Sequence, residues 1–231
     1  MSTFLIHQEP AYVVVLADTL GTRSSARSPG VLPLTAPKIV EVAPCAYAAH
    51  AGTWQPALEM LTRLREHLLA PPAAIPWEQL TELMRSIGSD TYSHFQQVFA
   101  LESFDVRVAL VLTGYLRHAE DVAAGRSSTL ALWESARSFR PERVVGFLHF
   151  GGSKPLSDLA TLVLSQPFVA NLLHQSPLSC AQALLAAHAL LAKLSTSIGP
   201  EPSVLVCGAD AEHTMIHGTL VTLPQGALIR G

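Results

Sequence analysis

A chain of 231 residues with 49% hydrophobic and 14% charged residues can bury one sizeable core, which predicts a single domain spanning residues 1–231. The net charge of −3 is spread without a basic stripe, so no nucleic acid is expected as a partner. Cys45, Cys180 and Cys207 are odd in number and far apart, which fits neither a disulfide framework nor a metal knuckle and makes a reducing, cytoplasmic setting the simplest expectation.

Ser2 to Ile6 and Ala11 to Ala17 read as two β runs joined by the turn-like HQEP, a hairpin at the start of the chain. MSTFLIHQEP lacks the basic n-region of a signal peptide. Gly21 to Pro37 is rich in Gly, Pro and Ser, has little apolar periodicity, and is predicted as a loop. Residues 39–42 and 45–51 form a second expected hairpin around Ala43 and Pro44. From Thr53, a plausible cap, the period changes: Trp54, Leu58, Leu61, Leu64 and Leu68 make the stripe of an amphipathic helix, ended by APPAAIP. Helical spacing resumes at Trp77 and continues to about Leu101, with a bend expected at Gly88. Strands are predicted at Val106–Thr113, Thr129–Trp133 and Val144–Phe150, helices at 154–166 and 178–195, and closing strands at Pro202–Val206 and Thr214–Leu223. Ala181 to Leu194 is the longest apolar stretch, but Gln182, His188 and Lys193 interrupt it and it is too short to span a bilayer, so no membrane is expected. This order suits two stacked sheets, each covered by a helix pair: an α+β fold in a four-layer αββα sandwich. The low charge and a mean hydropathy of +0.31 predict buried contacts between subunits, hence a homo-oligomer.

Three segments carry a family likeness: VVVLADT (13–19), KIVEV (38–42) and AYAAHAGT (46–53). On these residues the chain resembles a β-type proteasome subunit of the N-terminal-nucleophile (Ntn) hydrolases, in a divergent bacterial-type form. That family presents an acidic residue at a strand end, a Lys before a strand, and an Ala-Gly before a helix. Asp18, Lys38, Ala51 and Gly52 stand in those places, and counting back from Asp18 without a gap puts Ser2 at the position of the family's nucleophilic Thr.

The resemblance implies hydrolysis of peptide or amide bonds without a cofactor. Once Met1 is removed, the Ser2 α-amine, whose reference pKa is about 8, acts as base for its own hydroxyl. Lys38 favours the ionised hydroxyl, Asp18 orients Lys38, and the Gly52 N–H meets the oxyanion. Thr3 is a second nucleophile if one more residue is trimmed. His50 and Ala51 would line the substrate pocket. The Asp18 to Lys38 interval is about four residues longer than in the family. Where the family has Ser-Gly and then Asp-x-x-Ser-Gly, this chain has Gly151-Gly152 and Ser195-Thr196-Ser197-Ile198-Gly199, with Ser197 the available substitute. The implied partners are further copies in a ring, a peptide or protein substrate and an AAA+ unfoldase as a candidate. Two other readings stay open: a non-catalytic structural or regulatory relative, and an acyltransferase or ligase using the same acyl-enzyme chemistry.

Other motifs read as packing. Gly151-Gly152-Ser153-Lys154 lacks the spacing of a phosphate loop. Cys207, His213 and His217 do not make a metal site, because His residues four apart in a strand stand ~13 Å from each other.

Overall fold

Two five-stranded antiparallel sheets and six helices make up most of the described chain, which in this computed structural model comprises residues 3–25, 28–35, 38–69, 75–100, 103–151, 154–195, 198–208 and 214–217. The mixed α and β content matches the expected α+β class. In chain order the elements begin β1 (Thr3–Gln8), β2 (Tyr12–Asp18), β3 (Leu20–Ser25), β4 (Ser28–Thr35), β5 (Ile39–Ala43), β6 (Ala46–Gly52), α1 (Trp54–Leu69) and α2 (Trp77–Phe99). They continue β7 (Val106–Thr113), α3 (Ala119–Ala123), β8 (Ser128–Glu134), β9 (Glu142–Val144), β10 (Phe147–Gly151), α4 (Lys154–Leu164), α5 (Pro167–Gln175), α6 (Pro177–Leu194), β11 (Pro202–Gly208) and β12 (Thr214–His217). The chain divides into two compact units: Met1–Ile39 with Gly146–Gly231, and Val40–Val145.

In the first unit the strand order is β10-β1-β2-β11-β12. β1 and β2 are buried at every residue, so neither reads as a half-exposed alternating strand. Leu5, Tyr12, Val14, Leu16 and Val204 share a core with Cys180, Ala181, Ala183, Leu184, Ala187 and Leu191 of α6. The alanines let the helix backbone approach the sheet, and each fully buried Leu contributes about 1.5–3 kcal/mol. α6 has the length and hydropathy to cross a membrane, yet this buried stripe is what a core helix needs.

The second unit orders its sheet β5-β6-β7-β8-β9. Ala57, Met60, Leu61 and Leu64 of α1 and Leu80, Met84 and Ile87 of α2 pack with Val108, Leu110 and Trp133 of the sheet. α2 runs through Gly88 without interruption. That glycine is a seat for an aromatic ring: a Cβ there would lie 2.4 Å from Phe139 Cγ.

Three features differ from the sequence reading. The predicted loop from 21 to 37 contains an antiparallel ribbon, with Leu20 opposite Thr35 and Thr22 opposite Pro33. A ribbon paired only with itself consists of edges, where proline is tolerated, which is why Pro29 and Pro33 misled the reading. The single strand expected over 144–150 is two strands, broken around Gly146 (φ +85°), and the halves join different sheets. Two helices stand where no element was expected, the short α3 at 119–123 and α5 at 167–175. The signal of α5 is Pro at the first helical position, repeated where α6 begins at Pro177 behind the Ser176 cap. Of the closing strand expected at Thr214–Leu223, Thr214–His217 is a strand, and 218–223 lie outside the described residues.

Candidate active site

Asp18 is the last residue of β2, and Lys38 immediately precedes β5; the intervening chain returns through the β3–β4 ribbon to bring them together. Lys38 Nζ donates to Asp18 Oδ1 at 2.7 Å and to the Leu20 carbonyl. The two side chains are only 3% and 0% exposed, so this is a buried ion pair rather than a solvated one. The four extra residues between them do not prevent the contact. Burial pulls the Lys38 pKa below the ordinary lysine value, and the Asp18 charge works against that pull without overcoming it.

The same Asp18 oxygen accepts a second donor. β1 and β2 pair with Phe4 opposite Ala17, which sets Thr3 beside Asp18, and the Thr3 N–H reaches Oδ1 at 2.8 Å. The Gly199 N–H approaches Oδ2 at 3.4 Å. Gly199 must be small: a Cβ there would meet the Leu20 Cβ at 2.7 Å and the Leu20 N at 3.0 Å, displacing the segment whose carbonyl receives Lys38.

Two histidines complete the surroundings. His149 of β10 places Nε2 3.2 Å from Thr3 Oγ1, and burial pushes its pKa down to about 4, leaving the ring neutral at pH 7. His188 of α6 is 1% exposed and its Nε2 has no hydrogen-bond partner among the described residues. Burial lowers its pKa; the charge of Asp18 raises it and that of Lys38 lowers it, so His188 lies within electrostatic reach of the pair.

His50, Ala51 and Gly52 close β6 in the second unit. By strand alternation His50 shares a face with Ala46 and Ala48, which pack into the α1–α2 core. Gly52 has φ +87°, and a Cβ on it would sit 2.3 Å from the Asp105 carbonyl oxygen, so the backbone itself requires glycine there. Ser2 and Ser197 lie outside the described residues, as do Gly152 and Ser153 of the glycine-rich turn and His213 of the rejected metal trio. Gly151 ends β10 opposite Thr3, and the Ser195 carbonyl accepts the Ile198 N–H at 3.2 Å just after α6.

Sequence reasoning missed the parts played by Thr3, His149, His188 and Gly199. Thr3 was within reach, because pairing the strands back from HQEP puts it opposite Asp18. His149 and His188 carry no local signal: they belong to a strand and a helix that only tertiary packing brings to Thr3 and within electrostatic reach of the pair. No family model matches the chain, and no curated protein matches it either.

Proposed function

We propose that the chain is a proteasome-like Ntn hydrolase that cleaves peptide or amide bonds with Ser2, adopts the four-layer αββα sandwich of that class and acts as a cytoplasmic homo-oligomeric ring. The observation that carries the reading is the buried Lys38–Asp18 pair with the Thr3 N–H on the same carboxylate oxygen. Thr3 N is covalently bonded to the Ser2 carbonyl carbon, so Asp18 fixes the chain one peptide unit from the residue assigned as nucleophile. An ammonium has three N–H donors. Asp18 and Leu20 take two, leaving one for a hydroxyl oxygen.

In this reading loss of Met1 frees the Ser2 α-amine. That amine takes the Oγ proton as Oγ attacks the carbonyl carbon, and returns the proton to the leaving amine as the C–N bond breaks. Water then hydrolyses the resulting ester. Lys38 stabilises the alkoxide, and Asp18 holds Lys38. Each unit's five-stranded antiparallel sheet with helices packed on it is consistent with half of such a sandwich. Leu162, Phe168, Leu190 and Leu194, exposed on α4 to α6, supply apolar surface for ring contacts, and an AAA+ unfoldase would be the partner that feeds folded substrates.

The same buried pair would serve a non-catalytic relative as a structural staple between the end of β2 and the start of β5. Mass spectrometry of the intact protein followed by labelling with a β-lactone or epoxyketone probe separates the two. A mature terminus at Ser2 and one equivalent of label, lost in Ser2→Ala, is the expected result. Retained Met1 with no labelling would establish the structural reading, and label that survives Ser2→Ala would point to another nucleophile.

A further inference from the structure

Away from this site, the turn between β1 and β2 meets the end of α5 through three side chains. Glu9 Oε1 accepts from His7 Nε2 at 2.7 Å and from His174 Nδ1 at 2.6 Å. One ligand-type atom from each residue lies within 4.8 Å of the others. Two imidazoles converging on a single carboxylate oxygen is a hydrogen-bonded trio in its simplest description. It is also the donor set of a zinc ion that keeps a fourth position open.

The frame behind the trio is fixed from both sides. The Glu9 N–H donates to the Tyr12 carbonyl at 2.8 Å, closing the turn. Tyr12 Oη donates to the carbonyl of Leu173 at 2.6 Å, fastening the hairpin to the residue that precedes His174. The His7 side chain is 6% exposed, so its surroundings hold the ring against Glu9. Its Nδ1 is buried and has no partner among the described residues. No second bond therefore locks the tautomer, and the ring proton can move from Nε2 to Nδ1 when a metal takes Nε2. His174 is 61% exposed, which gives an ion a way in and lets that ring close on it. Donors ~2.0–2.1 Å from a tetrahedral zinc stand ~3.3 Å apart, so Glu9 would draw back and His174 swing inward by roughly 1 Å. The ring also lies in the last turn of α5, where the helix dipole favours positive charge.

We propose that His7 Nε2, a Glu9 carboxylate oxygen and His174 Nδ1 bind a divalent zinc-class ion, with water in the fourth position, and so clamp the β1–β2 turn to α5. The inference is independent of Ser2 and of any hydrolytic activity.

The test uses untagged full-length protein, stripped with a chelator and titrated with zinc chloride in a non-coordinating buffer, against a chromophoric competitor. One equivalent of zinc should bind, magnesium should not compete, and the melting temperature should rise with zinc. His174→Ala removes an exposed side chain, so the fold should survive, while affinity falls at least tenfold; Glu9→Gln should do the same. Absence of saturable zinc binding overturns the proposal. So does zinc affinity unchanged by His174→Ala and Glu9→Gln, which would place the ion elsewhere, for instance on a cysteine.

Discussion

Asp18 accepts two donors on one oxygen, and this sets what its removal and that of Lys38 should do. Replacing Lys38 by Met leaves a carboxylate in a site 0% exposed with, among the described residues, the backbone N–H groups of Thr3 and Gly199 as its hydrogen-bond donors. Uncovering a buried charge in this way costs about 3–5 kcal/mol. Asn at position 18 keeps an oxygen for the Thr3 N–H without the charge, so Asp18→Asn/Lys38→Met should recover much of that loss. Urea denaturation at pH 7 checks it: the double variant should be more stable than Lys38→Met alone, and both should be inactive if Lys38 serves the chemistry. A double variant whose losses simply add would mean that the two groups are not coupled. At this scale the sequence was informative. The pair was what the family resemblance of VVVLADT and KIVEV implied, although the intervening segment was expected to be a loop and is a ribbon. His149 and His188 were not legible, because a histidine in an apolar strand or helix looks the same whether it faces a charge pair or plain core.

Element boundaries followed local chemistry closely where the period was strong, as in α1 and α2, and failed where proline or glycine carried two meanings. Pro167 and Pro177 start helices, Pro29 and Pro33 sit in a two-stranded ribbon, and Gly146 breaks what reads as one strand. Gly88 shows the same ambiguity in a helix, where the glycine expected to mark a bend seats the ring of Phe139. Phe139, whose ring fills the space beside it, sits at φ +53° next to Ser138 at φ +52°, a pair of left-handed residues that leaves the ring little room to retreat. Gly88→Ala should therefore destabilise by about 1–3 kcal/mol through overpacking, outweighing the gain of up to about 1 kcal/mol that alanine brings to a helix. Thermal melts should show Gly88→Ala lowered and Gly88→Ala/Phe139→Leu partly restored. If Gly88→Ala alone raised the melting temperature, the contact with Phe139 would not be the reason for the glycine.

For the whole molecule the consequence lies in acid stability, because three histidines of the first unit, the buried His7 and His188 and the half-buried His149, all have depressed pKa values in the fold. The unfolded chain takes up their protons near pH 6.5, whereas folded His149 does so only near pH 4. Between those values the unfolded state holds more protons than the native one, so stability rises with pH and is lost as pH falls. His149 alone accounts for about 3 kcal/mol across the window, an order-of-magnitude figure that the other two histidines can only increase in the same direction. Carboxylates begin to contribute below about pH 4.5, so the measurement belongs between pH 7 and 5. Urea midpoints taken there with a chelator present should fall steadily with acid in the natural chain. His149→Gln keeps a donor for Thr3 Oγ1 but cannot take a proton, so its midpoints should fall less steeply. An equal slope in the two proteins would mean that the histidine is not held neutral beside Thr3, and would remove it from the surroundings of the Asp18–Lys38 pair.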